Sequence, residues 1–199
     1  MESVNNIAIL HGMVTEPPRF SHMGGTDKYM TFPLKIGRLS GKCDLINIIA
    51  REDMLTGHEI TEKKRLYITG EVRSFNNKTG EGSRLVITVF AKEIECSDDD
   101  SLNSIVLRGV ICKPPTLRRT PMGRLICDIM LAVNRRYGRS DYLPCIAWGR
   151  VAQVLAERNV GDDVCLLGRM QSRHYIKATE TGPEERTAYE ISIISLDEA

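Results

Sequence analysis

"AILHGMVTEPPRF" occupies residues 8–20, and "IVLRGVICKPPTL" occupies residues 105–117. Offset by 97, they place Gly12 on Gly109, Pro17 on Pro114 and Pro18 on Pro115. The same offset carries Leu34 onto Leu131, Arg38 onto Arg135, Asp44 onto Asp141 and Ala50 onto Ala147. An offset of 98 then sets "LYITGEV" with Gly70 on "VCLLGRM" with Gly168. The closing segments "LVITVFAKEIE" (85–95) and "TAYEISIISLD" (187–197) correspond as well. A 199-residue chain that repeats in this way holds two copies of one small unit. The expected organisation is a first domain over 1–96, an acidic linker over 97–101 and a second domain over 102–199.

Each copy reads mainly as strands. Phe32, Leu34 and Ile36 alternate with polar or small residues, as do Ile129, Leu131 and Val133, the pattern of a half-buried strand. The clearest helix signal is "RVAQVLAERN" (150–159), where Val151, Val154 and Leu155 share a helical face and "NVGDD" ends the run. Its counterpart "REDMLTGHEITEK" contains Gly57 and predicts a weak helix at most. About five strands with a helix between the third and fourth predict an all-β fold of two tandem Greek-key barrels of OB type. Gly12 and Gly109 suit barrel strands that bend where a side chain would clash.

The net charge is +1, so the overall balance points to no polyanion. Its distribution is uneven. Between Lys113 and Arg150 lie eight basic residues and two acidic ones, a local 8 − 2 = +6. Such asymmetry suits a nucleic-acid footprint, and equally a strand surface kept soluble by charge. The six cysteines include no C-x-x-C pair and mostly have apolar neighbours, which fits buried thiols in a reducing cytoplasm. "MESVNNIAILHG" lacks a basic n-region, and no stretch approaches a membrane span. The expected setting is therefore cytoplasmic, with no membrane partner.

Residues 131–150, "LAVNRRYGRSDYLPCIAWGR", combine Tyr137, Tyr142 and Trp148 with four arginines. Counting alternation from Tyr142 puts Tyr142, Pro144, Ile146 and Trp148 on one face and Leu143, Cys145 and Ala147 on the other. The second set suits a barrel interior. In the next strand of the sequence, Arg169, Gln171, Arg173 and Tyr175 share a face by the same count. Aromatics interleaved with arginine on a sheet make a platform for stacked bases and their phosphates.

The second copy resembles the bacterial single-stranded DNA-binding protein family. The resemblance runs through "SIVLRGVICKPPTLRRTPMGR", "LAVNRRY", "DYLPCIAWGRVAQVLAE", "GDDVCLLGRMQSRHY" and "YEISIISL". It implies an OB-fold that binds single-stranded DNA without sequence preference and works as an assembly of four such folds. It implies base stacking on Tyr137, Tyr142, Trp148 and Tyr175. Phosphate contacts are expected from Arg119, Arg135, Arg136, Arg150, Arg169 and Arg173. Two folds per chain then call for a homodimer.

The first copy departs from the pattern, with Ser40, Leu45 and Arg51 at the positions of Tyr137, Tyr142 and Trp148. It is expected to act mainly in structure and assembly, with a secondary nucleic-acid path through Arg38, Arg51, Arg73 and Phe75. The family's housekeeping members carry a flexible tail with an acidic tip. This sequence stops at "ISLDEA", so recruitment of partners through such a tip is not expected.

The alternative reading is an OB-fold adaptor, similar to primosomal proteins, that binds mainly other proteins. The aromatic platform argues against it. His11, His22, His58 and His174 lack metal-ligand spacing, and "GRLSGKC" lacks the spacing of a phosphate loop. No enzyme, metal or cofactor is expected.

Overall fold

The computed structural model describes residues 5–77, 85–135, 138–179 and 182–197. Two compact units emerge. One holds Ile7–Arg73 and Ile87–Ser104; the other holds the described parts of Met1–Asn6, Ser74–Val86 and Ile105–Ala199. The units are thus not contiguous in sequence: a short arm of each repeat's chain clusters with the other unit.

The first unit is built on β1 (Asn6–Val14), β2 (Arg19–Gly24), β3 (Asp27–Gly37), β4 (Cys43–Arg51), α1 (Glu52–Leu55), β5 (Arg65–Asn76) and β6 (Leu85–Cys96), of which Asn6 and residues 74–76 and 85–86 cluster with the other unit. Its strands run in the order β2-β3-β4-β6-β5-β1, and pairing of β1 with β3 closes the barrel. The second unit repeats the plan with β7 (Leu102–Ile111), β8 (Thr116–Arg119), β9 (Leu125–Asn134), β10 (Ser140–Trp148), α2 (Gly149–Ala156), β11 (Asp163–Thr179) and β12 (Gly182–Asp197). There the order is β8-β9-β10-β12-β11-β7, closed by β7 on β9. Each unit is a five-stranded Greek-key OB barrel extended by one short arm, β2 or β8. That arm is the difference from the expected strand count: four exposed residues in β8 have too little apolar alternation to announce a strand.

The alternating residues fill the two interiors. Leu10, Phe32, Leu34, Ile36, Ile46, Ile48, Leu66 and Ile68 are buried in the first. Leu107, Ile129, Leu131, Val133, Leu143, Cys145, Ala147, Leu166 and Met170 are buried in the second. The α2 helix contributes Ala152 and Leu155 beneath β9 and β10. Its counterpart α1 has four residues and buries none, in line with the weak helix expected from Gly57.

The glycines matched by the repeat lie where strands crowd. A Cβ on Gly109 would fall 2.5 Å from the carbonyl oxygen of Ala132, and one on Gly168 would fall 2.7 Å from that of Ser192. Gly12 and Gly70 meet the carbonyl oxygens of Lys35 and Phe90 in the same way. The sharp turn of the barrel strand therefore excludes a side chain at these sites.

The acidic run 97–101, expected as a linker, is fastened to the first unit. Both ring nitrogens of the buried His11 face backbone carbonyls, one of Asp100 and one of Ser97 at 2.9 Å. Arg65 donates to the carbonyl of Asp99 at 2.5 Å. Among the described residues all six cysteines are free, and burial pushes the Cys145 thiol far above its ordinary range.

Gly168→Ala is expected to destabilise the protein by about 1–3 kcal/mol, because the added methyl must displace backbone. Gly37→Ala meets only Ser101 Oγ at 3.6 Å and is expected to cost less than about 0.5 kcal/mol. Urea unfolding of the two variants checks the difference.

Candidate nucleic-acid interface

On β10, Leu143, Cys145 and Ala147 point inward, and Tyr142 and Trp148 point out, with 52% and 41% of their surface exposed. Ile146 lies between them on the same face yet is only 5% exposed. The two aromatics are thus separate stations rather than parts of one open apolar strip.

The register shows which strand lies beside them. Ile146 pairs with Ser192 of β12, and Ser192 pairs in turn with Arg169 of β11. So β12 stands between β10 and β11, and the face carries its side chains too. Going outward along β11, Gln171 lies opposite Glu190, Arg173 opposite Ala188, and Tyr175 opposite Arg186. Gln171 donates to Glu190 at 2.5 Å, and Arg186 is paired with Glu184 at 2.8 Å. Arg169, Arg173 and Tyr175 therefore come together on one face with Tyr142 and Trp148, as alternation predicted. The intervening Glu190 and Arg186 were not foreseen, because nothing in the sequence reveals that the last strand inserts between the other two.

Arg150 is exposed at the start of α2, one residue beyond Gly149, whose φ of +59° turns the chain from strand into helix. Arg119 is exposed on β8 and donates to the carbonyl of Gly123 at 3.2 Å. Its neighbour Arg118 lies nearer the aromatics in register: Arg118 pairs with Ile126, and Ile126 with Trp148. Arg118 is also bound to Asp128 at 2.5 Å, and this hydrogen bond raises the guanidinium further above its ordinary value. Arg136 and Tyr137 lie outside the described residues.

Arg135 was expected to meet phosphate, and here the structure revises the reading. Its guanidinium makes a bidentate pair with Asp141, which is fully buried, with Nε donating at 2.6 Å. Ser74, in the same compact unit, completes the network. Its backbone N–H donates to Asp141 at 2.5 Å, its carbonyl accepts from Arg135 at 3.0 Å, and its hydroxyl accepts from the Tyr142 N–H at 2.8 Å. A buried carboxylate holds its partner firmly, because losing that partner leaves an uncompensated charge. Arg135 therefore positions the start of β10, including Tyr142. The first unit repeats the pair: Arg38 binds Asp44, 1% exposed, with Nε at 2.7 Å.

The remaining residues of the expected secondary path are Arg51, Arg73 and Phe75. Arg73 is paired with Glu71, and Arg51 with Asp53 at 2.7 Å. Phe75 is half-exposed and clusters with the second unit. Among the described residues, no group of three or more His, Cys, Asp or Glu could hold a metal ion. No helix there is long and apolar enough to cross a membrane.

Exposed aromatic faces that share a surface with guanidiniums can stack planar rings and meet anions. The architecture defines a tandem OB-fold protein. Comparison with known proteins adds a family: residues 102–197 match the single-strand binding protein family. The likeness to that family is carried by the second repeat.

Similar curated proteins include the single-stranded DNA-binding protein of Oceanobacillus iheyensis, 31% identical over 47% of this chain and 60% of its own length. Another is single-stranded DNA-binding protein A of Bacillus subtilis, 36% identical over 37% of this chain and 47% of its own length. The matches thus span about half the length of these relatives. The wild-type single-stranded DNA binding protein from Thermus aquaticus superposes with a TM-score of 0.77 at 20% identity, covering 98% of this chain and 92% of that one. That likeness extends the shared fold to both units.

Arg135→Ala is expected to lower stability by about 3 kcal/mol, since Asp141 is left buried without its cation. Arg150→Ala, at an exposed position, is expected to change it by less than about 0.5 kcal/mol. Equal effects in urea unfolding would contradict the positioning role.

Proposed function

We propose that this protein binds single-stranded DNA without sequence preference and shields it during replication, recombination or repair. The observation that carries the reading is the exposure of Tyr142 and Trp148 on one face of β10, flanked by Arg150, Arg169 and Arg173. Exposed rings of this size beside arginines fit a surface on which bases stack. Every base offers a π-face, so stacking tolerates any sequence. The names of the relatives support the same reading.

In this scheme bases stack on Tyr142, Trp148 and Tyr175, with Tyr137 as a further candidate. Arg119, Arg136, Arg150, Arg169 and Arg173 meet phosphates. The second unit is the stronger binder, and a homodimer brings four OB folds together. Light scattering at micromolar concentration is expected to give twice the chain mass.

Trp148, the single tryptophan, reports binding directly. Adding poly-dT is expected to quench its fluorescence, and Trp148→Ala is expected to weaken affinity about five-fold or more, the value of one stacked base. Log affinity should fall against log salt by about 0.7 for each phosphate neutralised. An unquenched tryptophan with no gel shift would overturn the proposal.

A further inference from the structure

The first unit keeps no aromatic at the three positions equivalent to Tyr137, Tyr142 and Trp148. It carries a different aromatic cluster. His22 stacks on Tyr29, with ring centroids 4.9 Å apart and planes 10° from parallel. Tyr29 then meets Phe90 at 5.4 Å, and the Lys92 ammonium lies 5.6 Å over the Phe90 ring.

The register gives this cluster a meaning. Tyr29 pairs with His22 on one side and with Arg51 on the other, so one rung of three strands reads His22–Tyr29–Arg51. The equivalent rung of the second unit reads Arg118–Ile126–Trp148. The alignment is structural. Tyr29 and Arg51 correspond to Ile126 and Trp148 by the repeat offset, and the bulge between Phe20 and His22 brings His22, rather than Ser21, opposite Tyr29. Both rungs carry an arginine at one end and an exposed ring at the other, in reversed order. Even the arginines are held alike, Arg51 by Asp53 and Arg118 by Asp128. Where Phe90 widens the first platform, pairing with Ile49, the second unit has the buried Ser192, pairing with Ile146.

We propose that the rung His22–Tyr29–Arg51, extended by Phe90 and Lys92, is a second base-stacking site for single-stranded DNA. This inference rests on the function proposed above. A base lies on the exposed imidazole face of His22, whose other face is backed by Tyr29. Arg51 and Lys92 meet the flanking phosphates. The acids nearby are Asp53 on Arg51, Glu52 on Lys28, and Glu71 shared by Arg73 and Lys92. Their pairs with Arg51, Lys28 and Lys92 are half-exposed and so contribute little, and a phosphate exchanges with them readily.

Photo-crosslinking of the full chain tests the site. An oligo-dT long enough to reach both units, carrying 5-iododeoxyuridine, is expected to label peptides containing residues 19–30 or 85–92 in addition to peptides of the second unit. In parallel, His22→Ala, at an exposed side chain, and Tyr29→Leu are each expected to weaken binding of that oligomer about five-fold or more. Quenching of Trp148 by a short oligomer should stay within about two-fold of the parent protein. Labelling confined to the second unit, with Trp148 still quenched, overturns the second site and leaves the general function standing. Absence of both labelling and quenching overturns the function itself.

Discussion

Each barrel closes because backbone can approach backbone where a glycine leaves no side chain in the way. Gly109 admits the carbonyl of Ala132 and Gly168 admits that of Ser192, with Gly12 and Gly70 doing the same in the first unit. The pairing of β7 with β9, and of β1 with β3, depends on that curvature. Closure in turn makes the inside of β10 a dry interior and the outside a curved surface. Tyr142 and Trp148 are exposed only because Leu143, Cys145 and Ala147 have somewhere to be buried.

Much of this was legible in the sequence. The offsets of 97 and 98 preserved the glycines, the core alternation and the prolines, and those are the features a barrel requires. It also preserved Arg38 with Asp44 and Arg135 with Asp141, but their meaning was not legible. An arginine in a basic stretch looks like a phosphate ligand. That the aspartate six residues later would be buried, and so claim the guanidinium, depends on the hairpin register. Preservation of both partners in both copies was the available signal, because a solvent-facing arginine has no reason to keep a particular carboxylate.

Strand order set the other limit. Alternation along β10 and β11 assigned faces correctly, since period two is a local property. It could not show that β12 runs between them, because parallel pairing of β10 and β12 joins segments more than forty residues apart. Nor could it find the His22–Tyr29–Arg51 rung. A one-residue bulge in β2 shifts the pairing, and so conceals from any ungapped alignment that the two copies exchanged the ends of a common design.

Glu190 has a consequence for direction. It sits midway across the face, between the tyrosine and tryptophan strand and the arginines of β11, and is held there by Gln171. A carboxylate in that place repels a polyphosphate chain laid over the centre. Under the proposed function, a strand crossing this surface is sorted by polarity: its flat, uncharged rings turn toward the middle, and its anionic ribbon keeps to the rim where the guanidiniums stand. A carboxylate at the centre of the face thus gives the surface an inside and an outside for the proposed ligand.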